Sequence, residues 1–175
     1  MKIRLCSIVI LLAVSGLFFA PERGYAQRAS AYNNNISVDV IDQLINNTIS
    51  VQYEFKSTST TSIAVRGEYV TAVLGSSAFG VGGEWRFYIA DSRALSGLNV
   101  GPAADLYFFK NNGLGKKNVV FSVGGDAAYK FFFDQFTVEP FLGARLGFTG
   151  SDVIPGVTNF TTVHLIGGIY LGWAW

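Results

Sequence analysis

Cysteine is all but absent from the chain: 175 residues hold one, Cys6, inside an apolar N-terminal stretch. A single thiol excludes an intrachain disulfide and leaves no cysteine-based zinc site. Histidine is as scarce, with His164 alone, so a metal centre would lack a second ligand of that kind. Charge is sparse and balanced: 14% of residues are Asp, Glu, Lys or Arg, and the formal net charge is +1. No basic surplus exists to attract nucleic acid, and none is expected as a partner. Beyond residues 1–26, no apolar run approaches the roughly 20 residues that a helical membrane span needs.

Apolar residues are nevertheless abundant, at 50% of the chain with a mean hydropathy of +0.34. A strongly apolar chain without a helical span fits a β-barrel in which outward apolar residues alternate with inward polar ones. In lipid such strands must close on themselves, because an open edge leaves backbone groups unsatisfied. The length suits one domain.

Residues 1–26 have the layout of a cleaved secretory signal peptide. Lys2 and Arg4 start it, Leu5 to Ala20 form its apolar core, and Gly24-Tyr25-Ala26 supply small residues for cleavage. No lipobox surrounds Cys6, so a lipoprotein is not expected, and the mature chain would hold no cysteine. Residues 27–35 are a polar lead-in, and residues 36–175 the barrel domain.

Thr161 to Trp175 is the stretch that sets the pattern. Val163, Leu165, Gly167, Ile169, Leu171, Trp173 and Trp175 share one face; His164, Ile166, Gly168, Tyr170, Gly172 and Ala174 share the other. That period of two is a strand. Seven earlier segments follow it, giving an even, up-and-down count of eight. The weakest is 36–44, where Ile36, Val38 and Val40 alternate with Ser37 and Asp39. Turns fall at Asn46-Asn47, Ser57 to Thr61, Gly75-Ser76-Ser77, residues 90–96, Asn111 to Lys117, Asp134-Gln135 and Thr149 to Phe160.

Two further patterns support hairpins. Val81-Gly82-Gly83-Glu84 recurs as Val123-Gly124-Gly125-Asp126, and each copy is followed by a strand with Val-x-Pro. Pro102 and Pro140 remove ladder donors, so each is expected at a strand end or bulge. The outward aromatics also sort by height. Tyr53, Phe55, Trp85, Phe87, Tyr129, Phe131, Phe136, Trp173 and Trp175 form a lower belt; Phe79, Phe108, Phe121 and Phe148 form an upper one. Such girdles suit rings that prefer a water–lipid boundary.

On these residues the chain resembles the small eight-stranded outer-membrane β-barrel proteins of Gram-negative bacteria. The fold so implied is all-β: an eight-stranded antiparallel up-and-down transmembrane β-barrel preceded by a signal peptide. Ile169, Leu171, Trp173 and Trp175 resemble the alternating, aromatic-terminated signal recognised by the barrel-assembly machinery. Trp stands where the family usually ends on Phe, and Gly167 interrupts the apolar row. The resemblance implies an integral outer-membrane monomer whose partners are lipid, lipopolysaccharide and, during insertion, the assembly machinery.

The inward faces collect Glu54, Lys56, Arg66, Glu68, Glu84, Arg86, Asp105, Asp126, Lys130, Glu139 and Arg145. A barrel of eight strands is filled by its own side chains, and buried charges need partners, so a paired, plugged lumen is expected. Counting back from Gly75-Ser76 places Arg66 beside Glu84. The same counting puts Glu139 near Tyr170 and Arg145 near His164.

His164 is the natural catalytic suspect, since lipid A deacylase barrels use His, Ser and Glu at the outer surface. Its parity points inward and no His-x-Ser follows, so it is expected as a core histidine. Gly113-Leu114-Gly115-Lys116-Lys117 lacks the spacing of a phosphate loop. Lys110, Lys116 and Lys117 instead suit contacts to lipopolysaccharide phosphates. Short loops at Asn46, Gly75, Asn112 and Pro155 point away from a dedicated adhesin. The expected role is structural, envelope-stabilising or interactive, with no catalysis and no cofactor. The alternatives are a lipid A deacylase-like enzyme and a secreted lipocalin-like binder of an apolar ligand.

Overall fold

A computed structural model describes residues 32–42, 48–73, 76–89, 94–111, 117–149 and 161–175. The chain folds as β1 (Asn34–Asp39), β2 (Thr48–Lys56), β3 (Thr61–Val73), β4 (Ser76–Tyr88), β5 (Gly97–Asn111), β6 (Lys117–Phe133), β7 (Phe136–Thr149) and β8 (Thr161–Ala174). Each strand pairs antiparallel with its neighbours, and β1 pairs with β8 to close the barrel. Among the described residues no helix is long and apolar enough to cross a membrane. The end that holds Asn34 and Ala174 is called lower here, and the end that holds Asp39 and Thr161 upper.

The period of two decides what each strand shows to either side. Outward positions stay exposed and apolar on every strand: Ile36, Ile49, Val65, Trp85, Phe108, Phe121, Leu142 and Leu165, in strand order. Inward positions are buried and largely polar. The outward aromatics fall into two rows. Below, Tyr53 contacts Phe55 and Trp175, Trp85 contacts Phe87, and Tyr129 contacts Phe131. Phe136 shares a rung with Trp173 on the same level. Above, Phe79 shares a rung with Phe108 and Phe121 with Phe148.

Several strand boundaries differ from the expectation. β1 begins at Asn34, inside the expected lead-in, and ends at Asp39 rather than Leu44. The Asp39 carboxylate accepts the N–H groups of Ile41 (2.9 Å) and Asp42 (3.1 Å), capping a helical turn over 40–42. That turn takes Val40 out of the strand, so only Ile36 and Val38 carry the outward row. Ser76 and Ser77 belong to β4, because Val73 already pairs with Ser76. Asn111 and Lys117 are strand ends rather than loop residues.

Neither proline sits at a strand end. Pro102 lies inside β5, in register with Gly125, and the β4–β5 ladder skips two rungs beside it, from Glu84–Ala103 to Phe87–Val100. Pro140 lies inside β7, opposite Ile169, and the β6–β7 ladder skips from Ala128–Phe141 to Phe131–Val138. Each ring lacks an N–H on one side only, so the strand keeps its register across the gap.

Candidate functional site: the charged lumen

The lumen gathers the titratable side chains into two clusters. The lower one is built on Arg86, which is fully buried. Its Nη1 lies 2.8 Å from Glu54 Oε2 and 2.8 Å from Glu139 Oε1. Its Nη2 lies 2.9 Å from Glu84 Oε2 and donates to Gln52 Oε1 at 3.1 Å. Lys130 completes the cluster, pairing with Glu54 Oε2 and lying 3.0 Å from Glu139 Oε2. Glu54 Oε1 accepts from Ser62 and from the Tyr88 hydroxyl, the latter at 2.6 Å. The Glu54 carboxylate thus has both oxygens saturated, as a fully buried charge requires.

The upper cluster is built on two arginines that share Asp105. Arg66 Nη2 lies 2.5 Å from Asp105 Oδ1, its Nε 2.7 Å from Glu68 Oε1, and its Nη1 donates to the Tyr170 hydroxyl at 3.4 Å. Arg145 Nε reaches Asp105 Oδ2 at 2.7 Å, and its two terminal nitrogens grip Asp126, both at 2.6 Å. That fork-to-fork pair has the geometry that makes arginine the preferred carboxylate partner. Tyr107 caps the stack by donating to Glu68 Oε2 at 2.7 Å.

Glycine makes room for these acids. Gly82 shares a rung with Asp105, and Gly143 with Asp126. A methyl group at either glycine would collide with the carboxylate lying over it. The Val-Gly-Gly-acid motif enters these contacts at non-equivalent positions, its first copy supplying Gly82 and its second Asp126.

The inward charges expected from alternation lie in the two lumen clusters, except Lys56, which is half-buried at the end of β2, and some partners differ. Arg66 does not pair with Glu84; it shares a rung with Gly82 and bonds Glu68 and Asp105 instead. A register irregularity between Val70 and Val73 accounts for one residue of that two-residue difference, and the pairing of Val73 with Ser76 at the turn for the other. Glu139 shares a rung with Tyr170, and Arg145 with His164, as expected. His164 itself is exposed rather than a core residue. β1 ends opposite Tyr170, so no β1 residue reaches up to cover it.

Lys110 and Lys117 occupy one rung at the upper end of the β5–β6 hairpin, and Lys116 lies outside the described residues. On β8, Trp173 and Trp175 are exposed on the outer face. Leu171 shares rungs with Val38 and Val138, whereas Ile169 has a rung partner only on β7. Gln52, Ser62 and Tyr88 join the lower cluster without being expected there as charge partners, although their parity marks them as inward. Among the described residues, no group of His, Cys, Asp or Glu side chains is arranged to hold a metal ion.

No family profile, no curated protein and no solved structure matches the chain.

Proposed function

We propose that this protein is an integral outer-membrane β-barrel, exported through a cleaved signal peptide, with a non-catalytic structural, envelope-stabilising or interaction role. The observation that carries the reading is the inverted distribution of polarity. Exposed large apolar side chains ring the outside on all eight strands, while the buried polar and charged residues fill the inside. A soluble barrel that binds an apolar ligand needs the opposite arrangement. Leu165 is 81% exposed, Leu142 67% and Val163 65%, far beyond the scattered apolar residues a soluble surface tolerates. The two aromatic rows suit the two water–lipid boundaries.

Ion pairs that span the lumen support a plug rather than a pore. Lys110, Lys116 and Lys117 are the residues proposed to bind lipopolysaccharide phosphates. Cell fractionation with heat-modifiable gel mobility tests the core of the proposal. The folded form should remain with the outer-membrane fraction until detergent releases it, and recovery in a soluble fraction would overturn the reading. For the non-catalytic role, lipid A from a deletion strain should show an unchanged acylation pattern by mass spectrometry; altered acylation would favour the enzyme.

A further inference from the structure

At the lower end of the lumen, apolar side chains from four separate parts of the chain pack together. Leu95, two residues before β5, is fully buried. Its backbone is left-handed, at φ 74°, a conformation that costs energy for a leucine. It packs with Phe132 near the end of β6 and with Ala174 of β8, and Tyr32 lies against the same cluster. The Tyr32 ring stacks on Phe132 at 5.8 Å with 5° between planes. Ala94 is buried beside Leu95. Its N–H donates to Ser59 O at 2.9 Å, which ties this turn to the β2–β3 turn. A turn extended into solvent would need neither the left-handed leucine nor that bond.

Phe132 is the next inward residue below Lys130 on β6, so the apolar layer lies immediately under the lower charge cluster. The charges nearest this layer are fully enclosed: Glu54 is 0% exposed and Lys130 1%.

We infer that Leu95 is an apolar stopper that keeps water and ions at the lower mouth away from the lower charge cluster. The lumen is thereby sealed at its lower end, directly beneath the lower charge cluster. The inference needs the closed barrel and not its location, so it stands apart from the membrane reading and is tested on the full chain folded in detergent.

The probe is a cysteine in place of Ser62, which is fully buried against Glu54, in a Cys6→Ser background. A charged methanethiosulfonate reagent should leave Ser62→Cys essentially unmodified while Leu95 is present. Adding Leu95→Gly should speed modification by about tenfold or more, as a locally opened segment would. Glycine suits the left-handed backbone, so this variant should still fold, which heat-modifiable mobility checks. Phe132→Ala opens the same layer from the other side and should give the same acceleration. Equal rates with and without Leu95 would overturn the inference. Fast modification in both would mean the mouth is already open; slow modification in both would mean that Leu95 is not what closes it.

Discussion

Three carboxylates converge on the single guanidinium of Arg86: those of Glu54, Glu84 and Glu139. The two lumen clusters hold four cations, Arg66, Arg86, Lys130 and Arg145, against six acids, Glu54, Glu68, Glu84, Asp105, Asp126 and Glu139. With acids in the majority, removing a cation strands more buried charge than removing an acid. Arg86→Gln is therefore expected to destabilise the detergent-folded barrel by about 3–5 kcal/mol, the range for breaking a buried ion pair on one side. Glu84 contributes Oε2 to Arg86, while its buried Oε1 makes no hydrogen bond among the described residues. Glu84→Gln is expected to cost less than about 1 kcal/mol, because it relieves the surplus of negative charge. Unfolding midpoints in urea measure both, and equal losses would count against this ordering. Alternation alone showed which side chains face inward, since a strand leaves no other choice. It did not show which acid each arginine grips, because an arginine reaches past its own rung, as Arg145 does in taking both Asp105 and Asp126.

At the scale of the strand, the glycines decide whether those grips fit. Gly143 lies beneath the Asp126 carboxylate, whereas a methyl group added at Gly67 would meet only open space. Gly143→Ala is expected to push Asp126 off Arg145 and to cost about 1–3 kcal/mol, the usual range for overpacking. Gly67→Ala is expected to be neutral or to stabilise by up to about 1 kcal/mol, because glycine weakens a strand interior through backbone entropy. The same urea titration compares the pair, and similar effects at both sites would remove the steric role given to Gly143. Strand number and order were legible because eight segments of period two leave few arrangements. Strand ends were not, and Asp39 shows why: a polar residue fits an inward strand position and a helix cap equally well. The prolines misled for a related reason. One missing N–H breaks pairing toward one neighbour only, so Pro102 and Pro140 sit inside their strands, each beside a two-rung gap.

For the molecule as a whole, β1 makes the shortest joins, and the closing seam with β8 is no longer than its join with β2, at five rungs each. β1 meets β8 over five rungs, Asn35–Ala174 to Asp39–Tyr170, whereas β7 meets β8 over thirteen. Trp175 reinforces the lower end of that seam. Its carbonyl accepts the N–H groups of Asn33 and Asn34, both at 3.0 Å, and its own N–H donates to Asn34 O at 3.0 Å. Its ring lies 6.2 Å from that of Tyr53 across β1. The residue proposed as an assembly signal is thus also a clamp on barrel closure, and the two roles use different atoms. Deleting Trp175 removes the three backbone bonds together with the ring. It is expected to reduce outer-membrane insertion while leaving export intact, and to destabilise the detergent-folded barrel by about 1–3 kcal/mol, from a few net hydrogen bonds at roughly 0.5–1.5 kcal/mol each. Trp175→Ala keeps the backbone bonds, so it should retain most of that stability yet insert as poorly as the deletion. Trp175→Phe keeps an aromatic ending and should insert normally. Insertion is read from the outer-membrane fraction, and stability from urea unfolding. Normal insertion of the deletion variant would count against both the signal and the strand directions drawn from it, whereas poor stability of Trp175→Ala alone would assign the residue to closure.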